Sequence, residues 1–116
     1  MLTLPSSVRI WACPTPVDLR KSFDGLAAVV RTVLAADPLS GHLFVFRNRS
    51  GDRLKILFWD RDGLVIYYKR LEEGTFALPP SADGTSVELH AAQLAMLLGG
   101  VELAGTRQRK RYQRPA

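Results

Sequence analysis

The chain has 116 residues, of which 47% are hydrophobic and 23% charged, with a formal net charge of +5 and one cysteine, Cys13. That length buries a core without metal or disulfide staples, and a lone cysteine excludes an internal disulfide or a cysteine-rich zinc site and fits a reducing compartment. No apolar run reaches the roughly 18 residues of a membrane span and the opening MLTLPSSVR carries no signal-peptide pattern, so a cytoplasmic location without a membrane partner is expected.

Val8–Ala12 predicts a first strand, with Val8, Ile10 and Ala12 alternating against Arg9 and Trp11. The following Cys13-Pro14-Thr15-Pro16 stops it. Thr15 then reads as a helix N-cap, with Pro16 in the first helical position and Asp18 as a capping-box acid. The helix is expected to run to about Ala36, its apolar face formed by Leu19, Phe23, Leu26, Val30, Val33 and Leu34. Gly25 inside it costs up to ~1 kcal/mol against alanine, either to let the sheet approach closely or simply as a tolerated residue.

Asp37-Pro38-Leu39-Ser40-Gly41 is a loop. Three strands follow as a meander: Leu43–Arg47, Arg53–Trp59 and Leu64–Lys69. The first turn, residues 48–52, needs Gly51 at positive φ, and the second is Asp60-Arg61-Asp62-Gly63. A fourth meander strand is expected at Thr75–Leu78, then a loop over Ser81–Ser86. A second helix should start at or beside His90, present Leu94, Met96, Leu97 and Leu98, and stop at Gly99 and Gly100; Gln93 stands three residues after His90, as in a capping box. The order β-α-β-β-β-β-α predicts a single α+β domain, mainly antiparallel, with two helices packed on one face. The other face, bearing Arg53, Lys55 and Trp59, is then left partly open. The expected division is a domain over 1–104 and a basic, disordered tail over 105–116.

Charge is unevenly spread: residues 1–41 carry +1, residues 42–70 carry +4 and residues 71–106 carry −5. These blocks cancel, so the net charge comes from Arg107, Arg109, Lys110, Arg111 and Arg114. Such a cationic arm engages polyanions. In the meander, Arg47, Arg49, Arg53, Lys55, Lys69 and Arg70 are candidates for phosphate contacts, and Trp59, with Tyr67 or Tyr68, for base stacking. The alternative is that these cations only keep an exposed sheet soluble and stop edge pairing.

Catalytic signals are weak. Asp18, Asp60 and Asp62 could hold a divalent metal for phosphoryl transfer, but D-x-D-G is also an ordinary turn and Asp18 an ordinary cap. His42 and His90 lack neighbouring ligands, Cys13 lacks a paired base, and no phosphate loop, dinucleotide fingerprint or serine-nucleophile motif occurs. No cofactor is expected.

The segments DLRKSFDGL at Asp18–Leu26, SGHLFVFRNR at Ser40–Arg49 and DRLKILFWDRDG at Asp52–Gly63 resemble, in order and spacing, the TnpB accessory proteins of the IS-sixty-six family of bacterial insertion sequences. Tyr68–Glu72 and the Gln93–Leu98 stretch fit as well, so the resemblance spans roughly residues 4–103. Leu19 stands where methionine is common, and His90 where threonine or serine is usual. That family is unrelated to the RNA-guided nucleases of the same name. The resemblance implies a small non-catalytic protein encoded beside a separate transposase, which does the cutting and joining. DNA and that transposase are the expected partners. A protein–protein adaptor that does not touch DNA is the alternative, and a metal-dependent nuclease is the least favoured.

Overall fold

The computed structural model describes residues 4–99. The elements are β1 (Ile10–Ala12), α1 (Phe23–Thr32), β2 (Leu43–Arg47), β3 (Arg53–Asp60), β4 (Gly63–Arg70), β5 (Val87–Leu89) and α2 (Ala91–Gly99). They form the expected α+β domain around one five-stranded sheet of order β4-β3-β2-β1-β5. Three of its pairings are antiparallel and one, β1 with β2, is parallel.

The apolar run Leu43-Phe44-Val45-Phe46 sits on the central strand and is buried on both faces. Strand alternation sends Leu43 and Val45 to one side, where Ile10, Ala12, Leu54, Ile56, Phe76 and Leu89 join Leu94, Leu97 and Leu98 of α2. Phe44, Phe46 and Leu57 go to the other side and pack with Leu26, Ala27 and Val30 of α1, together with Cys13 and Leu19. The helices therefore cover opposite faces, not one. The face expected to be open is the one that α1 covers: Leu57 has no solvent exposure and Lys55 only 7%.

Three local expectations are also corrected. First, α1 begins at Phe23, after an Ser22 N-cap without a side-chain cap bond, and ends at Thr32. Residues 13–17 instead run beside β2, with the Cys13 N–H donating to the Val45 carbonyl and the Val17 N–H to the Arg47 carbonyl. Asp18 takes its own neighbour Arg20 rather than capping a helix. Second, residues 75–78 form no strand: the Phe76 N–H donates to the Gly51 carbonyl and the Phe76 carbonyl accepts from Arg47. Third, the fifth strand is Val87–Leu89, paired to β1 and braced by the Arg9–Glu88 ion pair (2.5 Å).

Gly51 does adopt positive φ (+77°), and a Cβ there would sit 3.2 Å from Thr75. The close neighbour of Gly25 is the Lys21 side chain, 3.0 Å from an added Cβ, rather than the sheet. At the start of α2 the His90 N–H donates to Gln93 Oε1 (2.8 Å), as the capping arrangement requires.

Phe76 is fully buried without belonging to a strand or helix, so it pins the irregular 71–86 segment to the core through one side chain. Phe76→Ala is expected to cost about 3–5 kcal/mol of stability, read as a lower urea midpoint. An unchanged midpoint would show that this segment is not anchored there.

Candidate nucleic-acid interface

The prolines at 14 and 16 keep the chain after β1 extended, and its two bonds to β2 hold residues 16–20 beside the β2–β3 turn. Asp18 there accepts from the Arg20 backbone N–H (3.0 Å) and from its Nε and Nη2 (3.0 and 2.7 Å). These donors pull the Asp18 carboxyl down to about 2, the Arg20 side chain being the largest cause. The aspartate orients the guanidinium without hiding it, since the Arg20 side chain remains 92% exposed.

The β2–β3 turn is stiffened by a side-chain box. Asn48 Nδ2 donates to Ser50 Oγ (3.1 Å) and Asp52 Oδ1 (2.8 Å), the Ser50 hydroxyl also donates to Asp52 Oδ1, and Asn48 Oδ1 accepts from the Arg53 N–H. The amide and hydroxyl donors hold the Asp52 carboxyl below its ordinary value. Arg49 sits at the tip of this turn, exposed. Arg53 donates through Nη1 to the Tyr68 hydroxyl (2.9 Å), which fixes both over the end of the β3–β4 ladder.

Arg20, Arg49 and Arg53 thus rim one open cleft of about 770 Å³, with Asn48, Ser50 and Tyr68 on its walls and Pro16, Val17 and Leu19 toward its apolar side. Three guanidinium groups with a nearby hydroxyl, an amide and an aromatic ring make a site suited to phosphate groups. Asp18 is the one carboxylate among the lining residues, and it is already engaged by Arg20.

The other sequence candidates are distributed differently. Arg47 turns under the turn, its Nη1 donating to the Phe76 carbonyl (2.9 Å). The Lys55 amine donates to the Lys21 carbonyl (2.9 Å) and lies 4.7 Å from the Tyr68 ring centre. The Lys69 amine donates to the Leu98 carbonyl near the end of α2 (3.0 Å). Arg70 is exposed and paired with Glu72 (3.0 Å). Trp59 is half-buried on the α1 face at the far end of β3, opposite Leu64. Arg107, Arg109, Lys110, Arg111 and Arg114 lie outside the described residues.

Arg20 was not among the sequence candidates, because residues 16–22 read as helix and its side chain as part of a solvated face. The Asp-x-Arg spacing behind two prolines was the available signal. The three aspartates considered for metal do not converge: Asp18 lies at the Arg53 end of β3, while Asp60 and Asp62 flank the turn at its other end, seven residues or roughly 23 Å along an extended strand. Among the described residues no group of three or more His, Cys, Asp or Glu side chains is placed to hold a metal ion.

A carboxylate whose folded value is depressed adds stability above its unfolded value, and loses that contribution as pH falls through the folded one. The Asp18 carboxyl should therefore titrate near 2 by NMR, and Arg20→Gln should return it toward 3.8. A wild-type midpoint already near 3.8 would refute the Asp18–Arg20 clamp.

Residues 8–108 match the family model described as IS66 Orf2 like protein. The chain is 42% identical over 102 residues to the uncharacterized protein y4hO of Sinorhizobium fredii, covering 88% of each. It is 37% identical over 108 residues to the uncharacterized protein y4jC of the same organism, covering 93% of this chain and 91% of that one. No solved structure matches it. The order and spacing of the meander, now seen as β2, β3 and β4, carry the same identity as the family match: this chain belongs to the IS66 Orf2-like proteins, the TnpB accessory family of an insertion-sequence transposition system.

Proposed function

We propose that this chain is a non-catalytic accessory factor that binds DNA electrostatically and assists a separate transposase of the same element. The observation that supports this reading most is the convergence of Arg20, Arg49 and Arg53 on one cleft with a stiffened turn behind them. Guanidinium groups held in fixed positions contact phosphate oxygens and set the register of a protein on a duplex. The five tail cations Arg107, Arg109, Lys110, Arg111 and Arg114 extend this footprint as a basic arm over 105–116, beside a body over 1–104. In this reading the carboxylates have structural duties: Asp18 orients Arg20, Asp52 stiffens the turn, and Asp60 and Asp62 flank the β3–β4 turn.

The adaptor reading has one observation in its favour. Arg47, Lys55 and Lys69 spend their donors on backbone carbonyls of this chain, which leaves fewer meander cations for DNA than the sequence offers. In that case the transposase, not DNA, is the direct ligand.

Binding to a labelled element-end duplex and a scrambled duplex across a salt series separates the two. Each neutralised phosphate adds about −0.9 to the slope of log affinity against log salt. Arg49→Gln with Arg53→Gln should therefore flatten that slope by about 2 and weaken both duplexes alike. Replacing the five tail cations by glutamine should flatten it by up to about 4–5. No binding by the wild type near physiological salt would sink the DNA reading and make the transposase the ligand to test.

A further inference from the structure

The strand β4 is one edge of the sheet, and among the described residues nothing pairs its outer side. The Leu71 N–H donates to the Asp52 carbonyl, which fixes the alternation along this strand: odd-numbered residues bond to β3. Leu64, Ile66, Tyr68 and Arg70 consequently aim their N–H and C=O groups outward.

Natural edge strands are blunted by proline, a bulge, charge or brevity. None of these protects the middle of β4. It is eight residues long, its register with β3 is unbroken, and Leu64-Val65-Ile66-Tyr67-Tyr68 contains neither a proline nor a charge. The nearest cation, Lys69, has its amine turned away to the Leu98 carbonyl. Val65 and Tyr67 are 37% and 38% exposed on the α2 face, a large apolar exposure for a finished edge.

We infer that β4 is a homodimer interface, pairing antiparallel with β4 of a second copy to make one continuous ten-stranded sheet. A two-fold axis perpendicular to the sheet keeps each face on its own side, so only residues of equal parity can face each other. Centring the axis on Ile66 sets Ile66 against its own copy, Leu64 against Tyr68 as an outward-bonding pair, and Val65 against Tyr67 as a close non-bonded pair. The same register places Asp62, at the turn, opposite Arg70. The charges at the two ends of the edge are thus self-complementary, and the two-fold makes the pair twice. Asp62 has no side-chain hydrogen bond or ion pair among the described residues. Arg70 gives Nε and Nη2 to Glu72 and keeps further N–H donors for a second carboxylate. A second copy suits this edge better than the chain's own Arg107–Arg114 arm, whose cations would meet Lys69 and Arg70.

Sedimentation equilibrium of the full chain over micromolar concentrations should give twice the 12.9 kDa chain mass. Val65→Lys with Tyr67→Lys, both at exposed positions, should give a monomer with an unchanged circular dichroism spectrum. Asp62→Arg and Arg70→Asp should each weaken the dimer about tenfold, since like charges then face each other at both ends, and the double exchange should restore it. A wild type that is monomeric throughout overturns the inference, whether the edge is then covered by residues 100–116 or reserved for the transposase. A dimer indifferent to the lysine pair, or not restored by the double exchange, overturns it as well.

Discussion

The fold depends on β2 being buried on both faces. Four successive large apolar side chains in an extended strand point to both sides of a sheet, so a single covering layer cannot satisfy Leu43-Phe44-Val45-Phe46. The chain meets that demand with a parallel β1–β2 pairing, whose crossover carries α1 over one face, and with α2 returning over the other. The Cys13–Val17 segment and β3 then flank β2, and the edges fall to β4 and the short β5. Helices on opposite faces follow from this one strand; the expectation of a half-open sheet took its alternation from β3 alone.

The same constraint decides what the meander's cations do. Once α1 covers the β3 face, Lys55 cannot reach solvent freely, and its amine ends on the carbonyl of Lys21, just before α1. Lys69 ends on Leu98 near the C-terminal end of α2, where the helix leaves carbonyls without intrahelical partners and favours a positive charge. Arg47 ends on Phe76 in the irregular segment. Each of the three ties the sheet to a segment that no ladder holds, through a charge-assisted bond of the kind that contributes about 1.5–3 kcal/mol when buried. Arg20, Arg49 and Arg53 are different in place: they sit at the β2–β3 turn end of the sheet, in exposed positions around the cleft.

What was legible in the sequence follows the strength of the local signal. The three meander strands were readable to within a residue because their apolar runs are long and their turns carry Gly51 and the Asp60–Gly63 tetrad. The start of α1 was misread because Thr15-Pro16 is a good capping pattern, while the prolines there serve an extended segment bonded to β2. Thr75–Leu78 looked like a strand because Phe76 is apolar and β-prone, yet its backbone groups go to Gly51 and Arg47. Val87–Leu89 was missed because three residues beside a helix start give no periodicity, and its pairing with β1 joins residues nearly eighty positions apart. The cleft was half legible: Arg49 and Arg53 carried a signal as turn and strand-end cations, whereas Arg20 required knowing that residues 13–20 run alongside β2.

Tyr68 connects the arginine-rimmed cleft and the β4 edge. Its hydroxyl is held by Arg53 and its ring lies beside Lys55, so its side chain forms one wall of the arginine-rimmed cleft. Its backbone belongs to the outward-bonding set of β4. A two-fold perpendicular to the sheet leaves the α1 face of both copies on the same side, so in a β4-paired dimer both clefts open toward one surface, with the paired edges between them. Under the proposed DNA reading, the dimer then presents two equal guanidinium clusters on one side of a rigid sheet, spaced along one phosphate backbone. The edge and the cleft are therefore not independent: whatever pairs β4 also sets the distance and direction between the arginine-rimmed clefts of the two copies.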